Sequence, residues 1–173
     1  MGFGAARLAM SHLGPPPIDA AAALSTTVLD REGRLLRAFT TVDGRWRLPV
    51  EPSAVDPRYL AMLFAFEDRR FLSHGGVDAV GIVRAVVQAV THRRLVSGGS
   101  TLTMQTARLL EGRHDRTGIG KLRQMVRAWQ IEQRLLKDEI LRLYLRLAPF
   151  GGNIEGVRAA SLAYFGKEPM RLS

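Results

Sequence analysis

The sequence predicts a mainly α domain with a small β-rich segment in front of it. Residues 25–48 have short extended apolar runs, with hairpin-turn signals at Asp30–Gly33 and at Asp43-Gly44. From Asp56 onward the apolar residues recur at helical spacing instead. A chain of 173 residues with 46% hydrophobic and 24% charged residues is suited to one domain with a real core.

Three helices are predicted from their start signals. Asp56 is a capping residue followed by Pro57, and the apolar pattern then runs to Glu67. Asp78 is the predicted cap of a second helix, and Ser100, after a glycine pair, is the predicted cap of a third. The apolar residues of the second helix are predicted to share one face: Ile82, Val83, Val86, Val87 and Val90.

A long helical pattern then runs from Thr117 to Leu147. It carries two apolar stripes, and we expect both to face the core because such stripes are more often core than cofactor contacts. The segment APFGGN breaks the pattern, and IEGVRAASLAYFGK resumes it. The first stripe consists of Leu122, Met125, Val126 and Trp129, and the second of Ile140, Leu143, Tyr144 and Leu147.

The domain is expected to span residues 25–173, after a flexible lead-in over residues 1–24. The lead-in is a poor signal peptide because its short apolar run is broken by His12, Gly14 and three prolines. The chain has no run of about 18 uncharged apolar residues, so no transmembrane helix is predicted.

The formal net charge of +9 favours anionic partners, namely nucleic acid, phosphates or an anionic membrane surface. The absence of cysteine excludes disulfides and thiolate metal sites. The basic residues of the long helix indicate a solvated face or a nucleic-acid surface. We favour the solvated face, because helix-turn-helix, RNA-recognition and zinc-finger patterns are missing and only 7% of residues are aromatic.

The stretch EDRRFLSHGGVD, residues 67–78, concentrates charge just after an apolar helix. Glu67 ends that helix, and partial desolvation there would favour a general base. The alternative is a surface patch in which Arg69 and Arg70 hold Glu67 as a plain ion pair. His74 by itself is more typical of a structural hydrogen-bonding residue.

Gly98-Gly99-Ser100-Thr101 resembles a phosphate loop in having glycines before a helix, but it has no lysine, so nucleotide binding is not supported. The backbone N–H groups of such a helix start can still hold an anion. An ordinary capped helix explains the same residues. Gln105 and Arg108 follow at about one and two turns and could extend the site.

These stretches together resemble the peptidoglycan glycosyltransferases of glycosyltransferase family 51, the polymerase domain of class A penicillin-binding proteins. EDRRFLSHGGVD is similar to the family's Glu-Asp-x-x-Phe-x-x-His-x-Gly block, and GGSTLTMQTARLL to its Gly-Gly-Ser-Thr-x-Thr-x-Gln block. Residues 120–167 resemble the remaining three blocks in order. The resemblance covers about residues 26–170 and implies a lysozyme-like fold.

The resemblance also implies the reaction and its site. The family polymerises lipid II into glycan strands with inversion and releases undecaprenyl diphosphate. By position, Glu67 is the base and Asp68 its supporting carboxylate. The positions implied to bind or shape the substrate site are Phe71, His74, Ser100, Thr101, Gln105, Arg108, Lys121, Gln124 and Lys137.

Partners and cofactors follow from the same resemblance. Lipid II, the growing glycan strand, the membrane surface and other cell-wall synthesis proteins are implied, at the periplasmic face of the bacterial cytoplasmic membrane, and nucleic acid is not. No cofactor is assigned from the residues, and the resemblance is compatible with a divalent cation, Mg²⁺ or Mn²⁺, at the diphosphate. No protein ligand of a metal is assigned.

Several departures keep two other functions open. Gln124 stands where most members carry a glutamate, Arg108 replaces a lysine, and Arg146 stands where the family has asparagine. Glu132 is retained. We also expect the family's membrane anchor, its final polymerase helix and its transpeptidase domain to be missing. The alternatives are an impaired module that binds lipid II or a partner, and a lysozyme-like muramidase.

Overall fold

The computed structural model describes residues 13–21, 23–92, 99–112 and 117–172. It confirms the mainly α fold with a short β lead-in. Six α-helices lie within these residues: α1 (Pro57–Glu67), α2 (Ala79–His92), α3 (Leu102–Glu111), α4 (Gly118–Glu132), α5 (Lys137–Leu147) and α6 (Val157–Phe165). Short 3₁₀ turns at Ile18–Ala21, Pro52–Ala54, Phe71–Ser73 and Pro169–Arg171 lie between or beside them.

Two small sheets accompany the helices. Strands β1 (Thr27–Leu29) and β2 (Leu35–Ala38) form an antiparallel hairpin, and its turn is closed by the Gly33 N–H, which donates to the Asp30 carbonyl over 3.0 Å. The predicted hairpin turn is therefore confirmed. Strands β3 (Trp46–Arg47) and β4 (Ile154–Glu155) pair in parallel. The predicted helical pattern from Ile154 is wrong at its start, because these two residues form β4 and α6 begins at Val157.

The core is centred on α3, which packs against α4 and α5. Most of α3 is buried, including Leu102, Met104 and Thr106. Ile131 of α4 and Ile140 of α5 complete the centre. The helix that follows the predicted glycine pair is therefore the central helix of the domain.

Two of the three predicted helix caps are confirmed. The Asp56 side chain accepts from the Arg58 N–H over 2.8 Å, and Asp78 accepts from the Gly81 N–H over 2.9 Å. The third is wrong by one residue, because Thr101 and not Ser100 caps α3 and accepts from the Met104 N–H. This shift turns the Ser100 hydroxyl away from capping and makes it available to α4.

The long helix predicted over residues 117–147 is two helices. α4 ends at Glu132 and α5 begins at Lys137, where the Glu139 carboxylate accepts from the Leu136 N–H over 2.7 Å. This reach-back bond satisfies an N-terminal donor and so stabilises a new helix start. The break lets α5 turn back against α3 instead of extending into solvent.

The first predicted apolar stripe is only partly buried, since Met125 and Val126 are half-buried but its outer residues are exposed, and the second stripe is confirmed. Leu122 is 63% exposed and Trp129 is 37% exposed, whereas α4 buries Arg127, Ala128 and Ile131. The inward face is set by close backbone packing, since a Cβ on Gly76 would lie 2.8 Å from the Ala128 carbonyl. On α5 the stripe of Ile140, Leu143, Tyr144 and Leu147 is buried or packed against the core.

The apolar face predicted for α2 is only partly described. Val83 and Val87 are exposed, and Ile82 is half-buried. The side chains of Val86 and Val90 lie outside the described ones. Within the described residues, no helix has the length and apolar content needed to cross a bilayer.

Residues 13–21 pack against the domain, in contrast to the flexible lead-in predicted for residues 1–24. Ala21 is part of the core, and Pro16 is buried. Residues 1–12 lie outside the described residues, and their flexibility stays a prediction.

Candidate active site

Glu67 is the last residue of α1, at a cleft of about 410 Å³. Its side chain is exposed, so the predicted desolvation is wrong. The Gln105 amide on α3 donates to a Glu67 carboxylate oxygen over 2.8 Å. Glu67 is therefore oriented by α3 but free to meet a ligand. The cleft is also lined by Asp68, Arg69, Asp78, Arg84, Gln88, Ser100 and Thr101.

Two tyrosines lie within electrostatic reach of Glu67. Burial, and then the negative charge of Glu67, raises the pKa of Tyr144 to about 12. The same two causes raise the pKa of Tyr59. Sequence patterning placed Tyr144 in the core stripe of α5 and gave no sign of its nearness to Glu67.

Asp68 is buried directly behind Glu67 and has a different role. Its carboxylate accepts from His74 Nε2 at 2.9 Å and from the Leu102 N–H at 2.9 Å, and its side chain is only 2% exposed. The Gly76 N–H donates to His74 Nδ1 over 3.1 Å, which leaves the proton of a neutral ring on Nε2. Asp68 thus ties the end of α1 to the start of α3, and it supports Glu67 through position.

Phe71 and His74, predicted to shape the substrate site, are buried and absent from the cleft lining. Phe71 stacks on Phe64 with ring centroids 5.6 Å apart and meets His74 edge-on at 6.4 Å. Their contribution is to pack the loop that follows Glu67. Their predicted place among the substrate-site residues stays a prediction.

Lys137 also points inward. Its ammonium donates to the His74 carbonyl and to Glu132, each over 2.6 Å, and lies 4.6 Å from the centre of the Phe71 ring. The Thr103 hydroxyl donates to the same Glu132 oxygen over 2.6 Å. The Glu132 carboxylate thus compensates the charge of Lys137 within the loop that follows Glu67, and a place for Lys137 beside a diphosphate stays a prediction.

A separate cationic group lies where α3 and α4 face each other. The Lys121 ammonium donates to the Ser100 hydroxyl. Burial, and then the positive charge of Arg108, lowers the pKa of Lys121. Gln124 is half-buried one turn further along α4. The structure therefore brings together one hydroxyl and two cationic side chains, those of Ser100, Arg108 and Lys121, beside the cleft.

Sequence reasoning missed two arginines of the cleft. Arg69 and Arg84 line it and are exposed, whereas Arg70 is paired with Asp78 over 3.0 Å. Arg69 was considered only as an ion-pair partner of Glu67. The signal for Arg84 was a lone charge within the apolar run GIVRAVV.

The residues do not form a metal cage by themselves. Among the described side chains, no three histidines or carboxylates converge as a ligand set, and Gln124 offers an amide where a carboxylate would be needed. A divalent cation held mainly by a diphosphate stays a prediction.

Arg146 bonds to the segment that precedes α1. Its guanidinium donates to the Val50 carbonyl over 3.1 Å and to Glu51 over 2.7 Å. Arg146 thus fastens α5 to the segment before α1.

Comparisons with known proteins show the family to which the chain belongs. A family model described as Transglycosylase matches residues 32–173. Penicillin-binding protein 1C of Escherichia coli is 51% identical over 146 residues, which are 84% of this chain and 19% of that protein. Penicillin-binding protein 1A of Escherichia coli is 42% identical over 121 residues, 70% of this chain and 14% of that protein. Penicillin-binding protein 1F of Bacillus subtilis is 33% identical over 144 residues, which are 83% of this chain and 20% of that protein.

The chain belongs to the transglycosylase family, which confirms the family predicted from the sequence blocks. It is accordingly a glycosyl-transferring enzyme domain. The chain spans about one fifth of the length of penicillin-binding protein 1C and of penicillin-binding protein 1F.

Proposed function

We propose that this domain is a peptidoglycan glycosyltransferase that polymerises lipid II with inversion, with Glu67 as the general base. The observation that carries the proposal is an exposed carboxylate, oriented by Gln105, in a cleft flanked by cations. Bond formation between a sugar hydroxyl and an anomeric carbon needs a base for the proton and positive charge for the departing diphosphate. This arrangement offers both.

The reaction can be assigned to the residues step by step. The acceptor hydroxyl gives its proton to Glu67 as its oxygen bonds to the anomeric carbon of the growing strand. The bond from that carbon to the diphosphate oxygen breaks on the opposite face, which inverts the configuration. Arg108 and Lys121 receive the charge of the undecaprenyl diphosphate, and Arg69 and Arg84 lie along the cleft for the phosphates of the acceptor.

The first measurement is polymerisation of labelled lipid II in detergent, with products resolved on a gel. We expect polymer from the wild-type chain and a loss of at least about 100-fold in Glu67→Gln, since a positioned base contributes about that much or more. Glu51→Gln is the matched control, because Glu51 is an exposed carboxylate that pairs with Arg146. Undiminished polymer from Glu67→Gln would exclude Glu67 as the base.

The same assay separates the two alternative functions. Binding of lipid II without polymer identifies an impaired binding module, for which Gln124 remains the motivation. Release of soluble muropeptides from purified cell wall identifies a muramidase. Glycoside hydrolysis commonly uses two free carboxylates, and both oxygens of Asp68 are taken by buried hydrogen bonds, which favours the polymerase.

We further propose that the domain works at the periplasmic face of the bacterial cytoplasmic membrane, beside other cell-wall synthesis proteins. The net charge of +9 and the exposed valines of α2 support contact with an anionic lipid surface.

A further inference from the structure

Outside the cleft, α4 buries a second charged group that the proposed chemistry does not use. The Arg127 side chain is 6% exposed, and its Nε donates to a Glu111 oxygen over 2.6 Å. Arg123 binds the same carboxylate, with Nε 3.1 Å from the other oxygen. Two guanidinium groups of α4 therefore converge on one buried carboxylate at the end of α3.

The lead-in completes the bonding of Arg127. Its two terminal nitrogens donate to the carbonyls of Leu13 and Gly14, each over 2.7 Å, and one of them also donates to the Gln130 amide oxygen over 2.8 Å. A buried guanidinium has no water to satisfy its donors, so these backbone carbonyls are part of its required surroundings. Residues 13 and 14 are thus fixed to the helix that carries the cationic group.

This cluster is placed to set the distance between the cations of the site. Glu111 lies three residues after Arg108 on α3, so the two are neighbours on that helix. Arg123 and Arg127 follow Lys121 by two and six residues on α4, within about 9 Å along the axis. The Arg108 and Lys121 charges repel each other, and the Glu111 pairs hold their helices together against that repulsion.

We propose that Arg127 is a positioning residue, which acts with Glu111 and the carbonyls of Leu13 and Gly14 to hold Lys121 against Arg108 and Ser100. The lead-in is thereby mechanically coupled to the anion-binding side of the site. The inference rests on the proposed function for its role in catalysis, but the geometry of the anion site can be tested without turnover.

The test uses Arg127→Lys in the full chain, with inorganic pyrophosphate as the probe in calorimetry and lipid II in the polymerisation assay. Lysine keeps the positive charge, but its single ammonium cannot bond to Glu111 and to both carbonyls at once, as the planar guanidinium of arginine does. We expect about tenfold weaker pyrophosphate binding and a higher KM, with a smaller change in kcat. The loss of binding at alkaline pH, which reports Lys121, should move to higher pH because Arg108 no longer lies as close.

Arg158→Lys is the matched control, because Arg158 binds Glu168 through two bonds and the Pro49 carbonyl through a third, away from the cleft. Arg158→Lys should lose about as much thermal stability as Arg127→Lys, but its pyrophosphate affinity should stay within about twofold of the wild-type value. Glu111→Gln provides a second variant if Arg127→Lys does not fold, with the same expected changes.

The outcomes separate the two proposals. An Arg127→Lys chain that melts earlier but binds pyrophosphate with unchanged affinity and pH dependence would overturn the positioning role. Failure of the wild-type chain to bind pyrophosphate would overturn it as well. Weakened pyrophosphate binding in a chain that never polymerises lipid II would support the positioning role and contradict the proposed function.

Discussion

Tyr144 shows how one residue links the stability of the domain to its site. An unfolded tyrosine ionises near pH 10.0, whereas burial and the charge of Glu67 raise the pKa of Tyr144 to about 12. The unfolded state therefore loses a proton first as pH rises, and stability falls between these two values. The loss is roughly 2–3 kcal/mol for a shift of this size.

Replacing the phenol should remove this dependence. In Tyr144→Phe we expect the free energy of unfolding to fall less than in the wild type between pH 10 and pH 12, because one titrating group is gone. Urea unfolding at several pH values in this range measures the free energy of unfolding of each variant. Tyr164→Phe is the control, since that side chain is 56% exposed. Equal slopes in wild type and Tyr144→Phe would contradict the assignment.

Asp68 gives a second prediction at this scale. In Asp68→Asn one carboxylate oxygen becomes an NH2 group, which would face either the His74 Nε2–H or the Leu102 N–H, and both of these are donors. Moving the ring proton to Nδ1 would not help, because the Nδ1–H would then face the Gly76 N–H. A buried donor left without an acceptor costs about 1–3 kcal/mol. We expect that loss in unfolding free energy, together with a lower kcat because Glu67 shifts relative to Gln105.

The measurements are chemical unfolding at neutral pH and lipid II polymerisation. Asp56→Asn is the matched control, because Asp56 is also buried but caps α1, and asparagine caps a helix about as well as aspartate. An Asp68→Asn chain as stable and active as the control would show that the hydrogen bonds of Asp68 are dispensable.

At the scale of elements, the sequence predicts a helix start or a turn correctly where one or two local residues determine it. The Asp56-Pro57 start of α1 and the Asp30–Gly33 turn follow from capping and turn preferences, and both are confirmed. The break after Glu132 could not be predicted, because the apolar spacing continues through it. The face that α4 turns to the core depends on the close approach of Gly76 to Ala128 and on the bond from Arg127 to Glu111. Both contacts join residues far apart in the sequence, so helical periodicity cannot predict them.

In the candidate site too, some features could be predicted from local sequence blocks and others depend on long-range contacts. The exposed Glu67 and its neighbour Gln105 were found from two separate sequence blocks, and the structure joins them by a hydrogen bond. Lys137 was assigned to the substrate by position alone, whereas its partners Glu132 and the His74 carbonyl draw it inward. A basic residue near a motif can therefore support the site or bind the ligand, and only its bonded partners distinguish the two.

At the scale of the whole molecule, the charge of +9 and the exposed apolar face of α2 favour a lipid surface. Val80, Val83 and Val87 are each more than half exposed and share one face of α2, at spacings of three and four residues. An anionic bilayer would attract the domain by charge and take up these side chains by burial. Lipid contact is thus expected to need both features.

Co-sedimentation with vesicles that contain phosphatidylglycerol tests this expectation. We expect the wild-type chain to bind, and the Val83→Asp/Val87→Asp double variant to bind about tenfold less, because it removes apolar area and adds negative charge at the contact. The double variant Leu29→Asp/Leu36→Asp is the control, since Leu29 and Leu36 are 47% and 66% exposed on the β1–β2 hairpin, so that it makes the same charge change and removes apolar area elsewhere. Equal losses in the two variants would show that net charge alone drives binding, and α2 would then have no special part in membrane contact.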